Sequence, residues 1–281
     1  MLLSVLQANA AVLDVEANLR TLDDAARRAA EAGADLLLTP ELFPVGYAPL
    51  RLRSELDPAS LPAIRARLAD IARCNGIALV YSLPSVAGSD TGGSAQGRDW
   101  HISASLVDAT GTELLTYAKV HLFGGEERKA FVAAAAPPAV VDFKGIRTSL
   151  LICYDIEFPE AARAAAARGA ELLLVPTALS AGFEAVPQVL IRARALESQL
   201  NVAYANHCGI EDAYTFGGGS VVAGPDGALL AAGGDGPELL FAEVGTEAVH
   251  EAREEVPYLR ERRPGLYREW EAEDADTPDE A

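Results

Sequence analysis

The sequence predicts an α/β fold: a four-layer α-β-β-α sandwich made by internal duplication about a pseudo-two-fold axis. Three observations carry that expectation. Buried-strand and helix signals alternate along the chain. The stretch "AARRAAEAGADLLLTP" (25–40) aligns with "AARAAAARGAELLLVP" (161–176) at a constant offset of 136, with eleven of sixteen positions identical. "IRARLADIARCNGIALVYS" (64–82) is echoed in the same order by "IRARALESQLNVAYAN" (191–206). Two such units can cover their apolar faces by packing sheet against sheet with the helices outside.

The elements follow in order. "LLSVLQANA" reads as a buried strand, because its apolar run is nearly continuous. "VEANLRTLDDAARRAAEAG" is an alanine-rich helix closed by Gly33, which takes a left-handed C′ position at no steric cost. "ADLLLTPE" is a second buried strand, "LPAIRARLADIARCNG" a second helix and "IALVYSLPS" a third strand. Ser85–Asp99 is rich in Gly and Ser and reads as a loop. "HISASLVDATGTELLTYAKVHL" reads as two strands joined by a turn at "DATG". The pattern then restarts with the strand "RTSLLIC", a helix opened by Pro159, and later the hairpin "SVVAGPDGALL", which echoes "SLVDATGTELL". Each half thus runs strand, helix, strand, helix, strand, hairpin. One domain is expected over 1–268, with a site where strand ends of both halves converge. The acidic stretch 269–281, "EWEAEDADTPDEA", has too little apolar surface to fold and is expected to be a solvated tail.

Bulk properties narrow the function. The 281 residues are half apolar, enough for one large domain or two small ones. A formal charge of −18 repels phosphate backbones and argues against a nucleic-acid partner. There is no run of about 18 apolar residues and no basic start before an apolar core, so no membrane partner and no secreted product is expected. The three cysteines are an odd number with no CxxC pair. That fits a reducing cytoplasm and argues against a disulfide framework or a zinc site.

Cys153 is placed between a strand end and a helix start. Such a turn exposes a side chain and aims backbone N–H groups at whatever reacts with it. A nucleophile and a simply packed thiol are both open on position alone; Cys74 and Cys208 lack the setting and read as structural. A nucleophilic thiol needs a base. None of His101, His121, His207 and His250 is placed to settle the matter. The duplication offers another candidate: Glu41 follows a strand-end proline where the second half has Thr177. Desolvation there would raise its pKa and make it a usable base; an ordinary exposed loop glutamate is the competing reading. Lys119, in "TYAKVHLFGGEERKAF", closes an apolar strand. Burial would demand a charged partner and leave it able to stabilise an oxyanion, whereas an edge strand would point it to water. Glu127 follows on a loop opened by Gly124 and Gly125.

Together these positions resemble the nitrilase superfamily of carbon–nitrogen hydrolases over roughly Leu2 to Arg268. "TPELFPVGY" resembles the motif of the general base, here Glu41; "YAKVHLFG" that of the lysine, here Lys119; "LLICYDIEFPEAARAAAARGAELLLVPTA" that of the nucleophile, here Cys153. "LIRARALESQLNVAYANHCG", "GGGSVVAGPDG" and "YLRERRPGLY" resemble later landmarks. The resemblance implies a thioester mechanism with no metal or organic cofactor. Lys119 and the Tyr154 backbone N–H would hold the oxyanion. Glu127 would be a second glutamate that orients substrate and lysine. The chain departs from many relatives just after it, reading "FVAAAAPP" where they carry Pro-Gly. Tyr47, Tyr154, Glu157, Thr177 and Ala178 lie in or near the motifs as candidate pocket residues, or as support for the turn.

The dipeptide after the cysteine is Tyr-Asp rather than the Trp-Glu of nitrilases, which resembles the amidase-type branches. The expected reaction is hydrolysis of a small-molecule amide to a carboxylic acid and ammonia. N-carbamoyl (ureido) substrates come next and nitriles third. Rival readings are a hydrolase with His121 or His207 as base, and an inactive acyl-binding scaffold. Loops Ser85–Asp99 and Gly182–Pro187 are expected to set specificity. The resemblance also implies a homodimer or larger homo-oligomer, packed through alanine-rich helices such as 160–168 and 188–199.

Overall fold

The computed structural model describes residues 1–86 and 99–274. The first half runs β1 (Leu2–Gln7), α1 (Val15–Glu31), β2 (Leu36–Leu38), α2 (Pro49–Glu55), α3 (Leu61–Asn75), β3 (Ala78–Val86), β4 (Trp100–Val107), β5 (Glu113–Ala118) and α4 (Gly124–Ala130). The second runs β6 (Val140–Phe143), β7 (Ile146–Leu150), α5 (Pro159–Ala167), β8 (Leu172–Pro176), α6 (Ile191–Ser198) and β9 (Asn201–Ala205). A small hairpin follows, β10 (Cys208–Glu211) and β11 (Tyr214–Gly217), then β12 (Val221–Ala223), β13 (Leu229–Ala232) and β14 (Glu238–Glu243). Helices α7 (Glu247–Glu255), α8 (Tyr258–Glu261) and α9 (Pro264–Asp274) close the described chain.

The duplication is real at the level of topology. One six-stranded sheet has the order β14-β1-β2-β3-β4-β5 and the other β6-β7-β8-β9-β12-β13. In each, the first three strands of the repeat are parallel and the hairpin antiparallel. Even the register irregularity recurs, between Leu106 and Val107 in one hairpin and between Val222 and Ala223 in the other. The sheets face each other, with β2 and β3 against β8 and β5 against β7, while α1 and α3 lie outside one sheet and α5 and α6 outside the other. Strands sandwiched on both faces must be apolar throughout, and Leu36–Leu38 and Leu172–Leu174 are fully buried. Burial of each such leucine contributes about 1.5–3 kcal/mol. Ala25, Ala26 and Ala29 of α1 and Ala162, Ala165 and Ala166 of α5 are the small buried side chains that let these helices approach their sheets.

Several elements differ from the sequence expectation. Strands β6 and β14 extend each sheet by one antiparallel strand. They are half-exposed, and β14 sits at the far end of the chain from its partner β1, so the linear alignment of halves passes over it. Glu127 lies on a helix, α4, rather than a loop: Glu126 and Glu127 occupy its first turn and Arg128 and Lys129 its last, which complements the helix dipole. Helix α9 continues through Asp274, so 269–274 are helical where a tail was expected. Residues 275–281 of that segment, and 87–98 of the expected specificity loop, lie outside the described residues. Among the described residues no helix is long and apolar enough to cross a membrane.

Candidate active site

The β7–β8 ladder ends at Leu150, and Cys153–Glu157 form a 3-10 turn running up to Pro159, the first residue of α5. Cys153 has φ +48°, in the left-handed region that L side chains adopt only under strain. This is the sharp turn expected from sequence, but it does not open the thiol to bulk water: Cys153 is buried, 6% exposed. The Ala178 backbone hydrogen-bonds the sulfur. Tyr154 stands in the first turn, where helical geometry gives an N–H no acceptor within the element.

Glu41 leaves β2 directly, and its N–H donates to the carbonyl of Thr177 at 3.2 Å. These two residues are equivalents in the repeat, so the pseudo-two-fold axis passes beside the site. Lys119 leaves β5, which is an edge strand. Its burial is nevertheless complete, and the segment after α4 is bonded to the ends of both strands there: Val132 N–H donates to Trp100 O of β4 at 2.7 Å and Ala134 N–H to Lys119 O at 2.9 Å. This is the "FVAAAAPP" stretch, and it keeps α4 against the lysine.

The Lys119 ammonium bridges two carboxylates. Nζ donates to Glu41 Oε1 at 2.8 Å and to Glu127 Oε1 and Oε2 at 2.8 and 2.9 Å, all three side chains being buried. Glu127 also accepts from Tyr47 OH at 2.7 Å and from Phe123 N–H at 2.7 Å. Glu41 Oε2 is buried with no partner in hydrogen-bonding geometry. The Cys153 thiol is nonetheless near enough to bias the ionisation of this carboxyl as a hydrogen-bonding neighbour.

Burial sets the protonation states. It pushes the Glu41 carboxyl up to about 7, against the pull of Lys119. Burial, and next the charge of Glu41, push the Cys153 thiol well above its usual range, while Lys119 pulls the other way. Burial opposes the charge on Lys119, but Glu41 and Glu127 outweigh it and hold the ammonium well above the ordinary lysine value. The resting arrangement is a neutral thiol beside a carboxyl poised near neutrality.

The other candidates fall into two groups. Tyr47 is pushed up by burial and by Glu127, so it stays a neutral donor; it holds the second glutamate rather than facing open space. Thr177 is fully buried, and its carbonyl supports Glu41. Tyr154 is half-buried in an aromatic chain, its ring 5.3 Å from Phe123 and 4.9 Å from Phe158, and Phe123 is in turn 6.4 Å from Phe183. Glu157 is half-buried, its carboxyl raised mainly by burial and opposed by Arg194 and Lys119. Ala178 meets the sulfur through its backbone.

Sequence reasoning missed two buried residues. Asp155 accepts from Tyr117 OH at 2.9 Å, from His121 N–H at 2.8 Å and from Ile152 N–H at 3.4 Å, with His121 Nδ1 at 2.8 Å. It ties the turn carrying Cys153 to residues flanking Lys119. Glu211 accepts from Ala10 N–H at 2.7 Å and Tyr47 N–H at 3.1 Å and lies 2.6 Å from His207 Nδ1. Asp155 had a signal, an acidic residue two places after the cysteine in an apolar motif; Glu211 had none. His207 has both ring nitrogens engaged and none left for the thiol, so it is not the base. His121 gives Nδ1 to Asp155 and stacks on Phe158 at 3.9 Å. Among the described residues no cluster of His, Cys, Asp and Glu is placed to hold a metal ion.

A cysteine on a strained strand-to-helix turn, with a glutamate and a lysine delivered from the facing sheet of an α-β-β-α sandwich, defines a cysteine-dependent hydrolase. The chain belongs to the carbon–nitrogen hydrolase family, whose model matches residues 2–254. It is similar to an amidase from Nesterenkonia sp. AN1, with a TM-score of 0.87 and 46% identity over 96% of this chain and 99% of that one. A glutamate-to-glutamine mutant of that amidase carries the acetamide moiety of fluoroacetamide on its active-site cysteine. A hydrolase encoded 5′ of pqqF in Pseudomonas protegens is 40% identical over 256 residues, 91% of this chain and 86% of that protein. The protein is therefore an amidase-type hydrolase of C–N bonds, working through a cysteine and a thioester. The inactive-scaffold reading is set aside by this kinship.

Proposed function

We propose that Cys153 is the nucleophile, Glu41 the general base and acid, Lys119 the oxyanion partner and Glu127 the group that fixes the lysine, in hydrolysis of a small uncharged amide. The observation that carries this reading is the single ammonium shared by two buried carboxylates, with the free oxygen of Glu41 beside the thiol. Glu41 takes the thiol proton as sulfur attacks the amide carbon. Lys119 and the Tyr154 N–H stabilise the oxyanion, a contribution of about 10²–10³-fold per donor. Glu41 returns the proton to the departing nitrogen, releasing ammonia and leaving a thioester on Cys153. It then deprotonates water, which attacks the thioester and frees the acid.

Two features support an uncharged acyl group. The aromatic chain of Phe123, Tyr154 and Phe183 borders the turn carrying Cys153, and Phe123 and Phe183 are 46% and 49% exposed. Glu157 adds a partly buried carboxylate near Lys119, which disfavours an anionic acyl chain. The Nesterenkonia amidase, crystallised as a mutant with butyramide, is a relative that takes such a molecule. Ammonia release from a panel of short aliphatic amides, amides bearing a carboxylate, ureido acids and nitriles tests this. Turnover of the neutral amides is expected to lead; nitrile turnover with inert amides contradicts it. Two finer readings belong here as well. Exposed Val189 and Leu196, on and beside α6, support a homodimer through that face, checked by light scattering. Free Cys74, Cys153 and Cys208 support a reducing cytoplasm, checked by fractionation.

A further inference from the structure

We infer that His207 is a permanent imidazolium, a second fixed cation that positions Glu41 and favours its ionised form. The inference rests on what its two nitrogens face. Nε2 lies 2.6 Å from the backbone carbonyl of Glu41, and Nδ1 lies 2.6 Å from Glu211 Oε1. A carbonyl oxygen can only accept. Both oxygens of Glu211 already accept a backbone N–H, Oε1 from Ala10 and Oε2 from Tyr47, so the side chain faces the ring as an acceptor. Both ring nitrogens must therefore donate, and a neutral imidazole has one N–H. A neutral ring would leave one of these two oxygens facing a lone pair in a fully buried place.

The surroundings agree. The ring is stacked on Phe43 at 5.6 Å and tilted against Phe216 at 5.0 Å, and the charged groups acting on it are Glu211 and Glu41. Burial works against the charge, and the two glutamates with their hydrogen bonds outweigh it, so the ring is held above the ordinary histidine value. The consequence for the reaction follows from reciprocity. If Glu41 favours the cation, the cation favours the Glu41 carboxylate by the same amount. Lys119 is shared between two glutamates; His207 adds positive charge on the backbone side of the base. Glu211 meanwhile fixes Tyr47, which fixes Glu127, so one carboxylate secures both arms of the site.

This deepens the reading of Glu41 as base, and the experiment separates the two. In wild-type enzyme labelled with ¹⁵N-histidine, both His207 ring nitrogens are expected at protonated shifts, unchanged between about pH 6 and 9. A neutral tautomer within that range overturns the inference, whatever the kinetics show. In a His207→Gln variant of native circular dichroism, the acid limb of kcat/KM is expected to move up by about half a pH unit or more, with KM little changed. An unmoved limb in a folded variant overturns the positioning role. If Glu41→Gln instead left activity intact, the base assignment would fail while the tautomer result stood.

Discussion

Leu3 pairs with Leu36 in the first half as Thr148 pairs with Leu172 in the second, so Ala8 occupies the place of Cys153. By the same register Thr177 stands for Glu41. Ser105 opposite Thr116 corresponds to Val221 opposite Ala232, so Asp235 stands for Lys119. The second half thus carries a threonine where the first carries Glu41, and an exposed aspartate where the first has its buried lysine. Gln7 fills the silent side, its amide nitrogen donating to the carbonyls of Gly234 and Gly236 and its oxygen accepting from Ser220 N–H. The lesson is that this scaffold is two-fold but its chemistry is not. The proposed site takes Glu41 and Lys119 from one half and Cys153 from the other, so on this reading neither half holds a site alone.

The comparison can be broken most severely at the sulfur. Cys153→Ala should abolish ammonia release, whereas Cys74→Ser, on an exposed helix position, should leave it unchanged. Glu41→Gln should lower kcat by about 10²–10⁴-fold. Its counterpart change Thr177→Val should cost far less activity, because the hydrogen bond between Thr177 and Glu41 is made by the backbone and survives the substitution. Lys119→Met should lower kcat by about 10²–10³-fold. It should also destabilise the fold by about 3–5 kcal/mol, because two buried carboxylates lose their cation. Asp235→Asn should shift stability by less than about 0.5 kcal/mol, as for other surface changes. Chemical denaturation of the pair reads this directly; equal losses would mean that the halves are not differentiated as described.

A gentler probe is pH. The Glu41 carboxyl is raised to about 7, so the basic form accumulates only above that value. kcat/KM should fall about tenfold per unit as pH drops below about 7. A flat profile down to pH 5 would show an ordinary carboxylate. Tyr47→Phe is expected to have the smallest effect on this side. It removes one bond to a charged group, about 1.5–3 kcal/mol, and leaves Glu127 its lysine and the Phe123 N–H.

The duplication made much of this legible. An offset of 136 aligned the strand ends and put Glu41 opposite Thr177, while motif order brought Cys153, Lys119 and Glu127 together. What stayed hidden has physical reasons. Strands β6 and β14 escape because the repeat is permuted: β14 joins β1 from the other end of the chain. Glu211, 170 residues beyond Glu41, and its partner His207 escape because a buried ion pair leaves no periodicity in sequence. The depth of Cys153 escapes because local turn geometry says where a side chain leaves the backbone, not what covers it.

The central claim is that Cys153 carries the acyl group. Mixing the enzyme with a short aliphatic amide, quenching in acid within the first turnovers and mapping peptides by mass should find that acyl group on the peptide containing Cys153, and it should vanish on longer incubation. An acyl group on Cys74 or Cys208, or ammonia release with no acylated peptide at any time, would contradict the account.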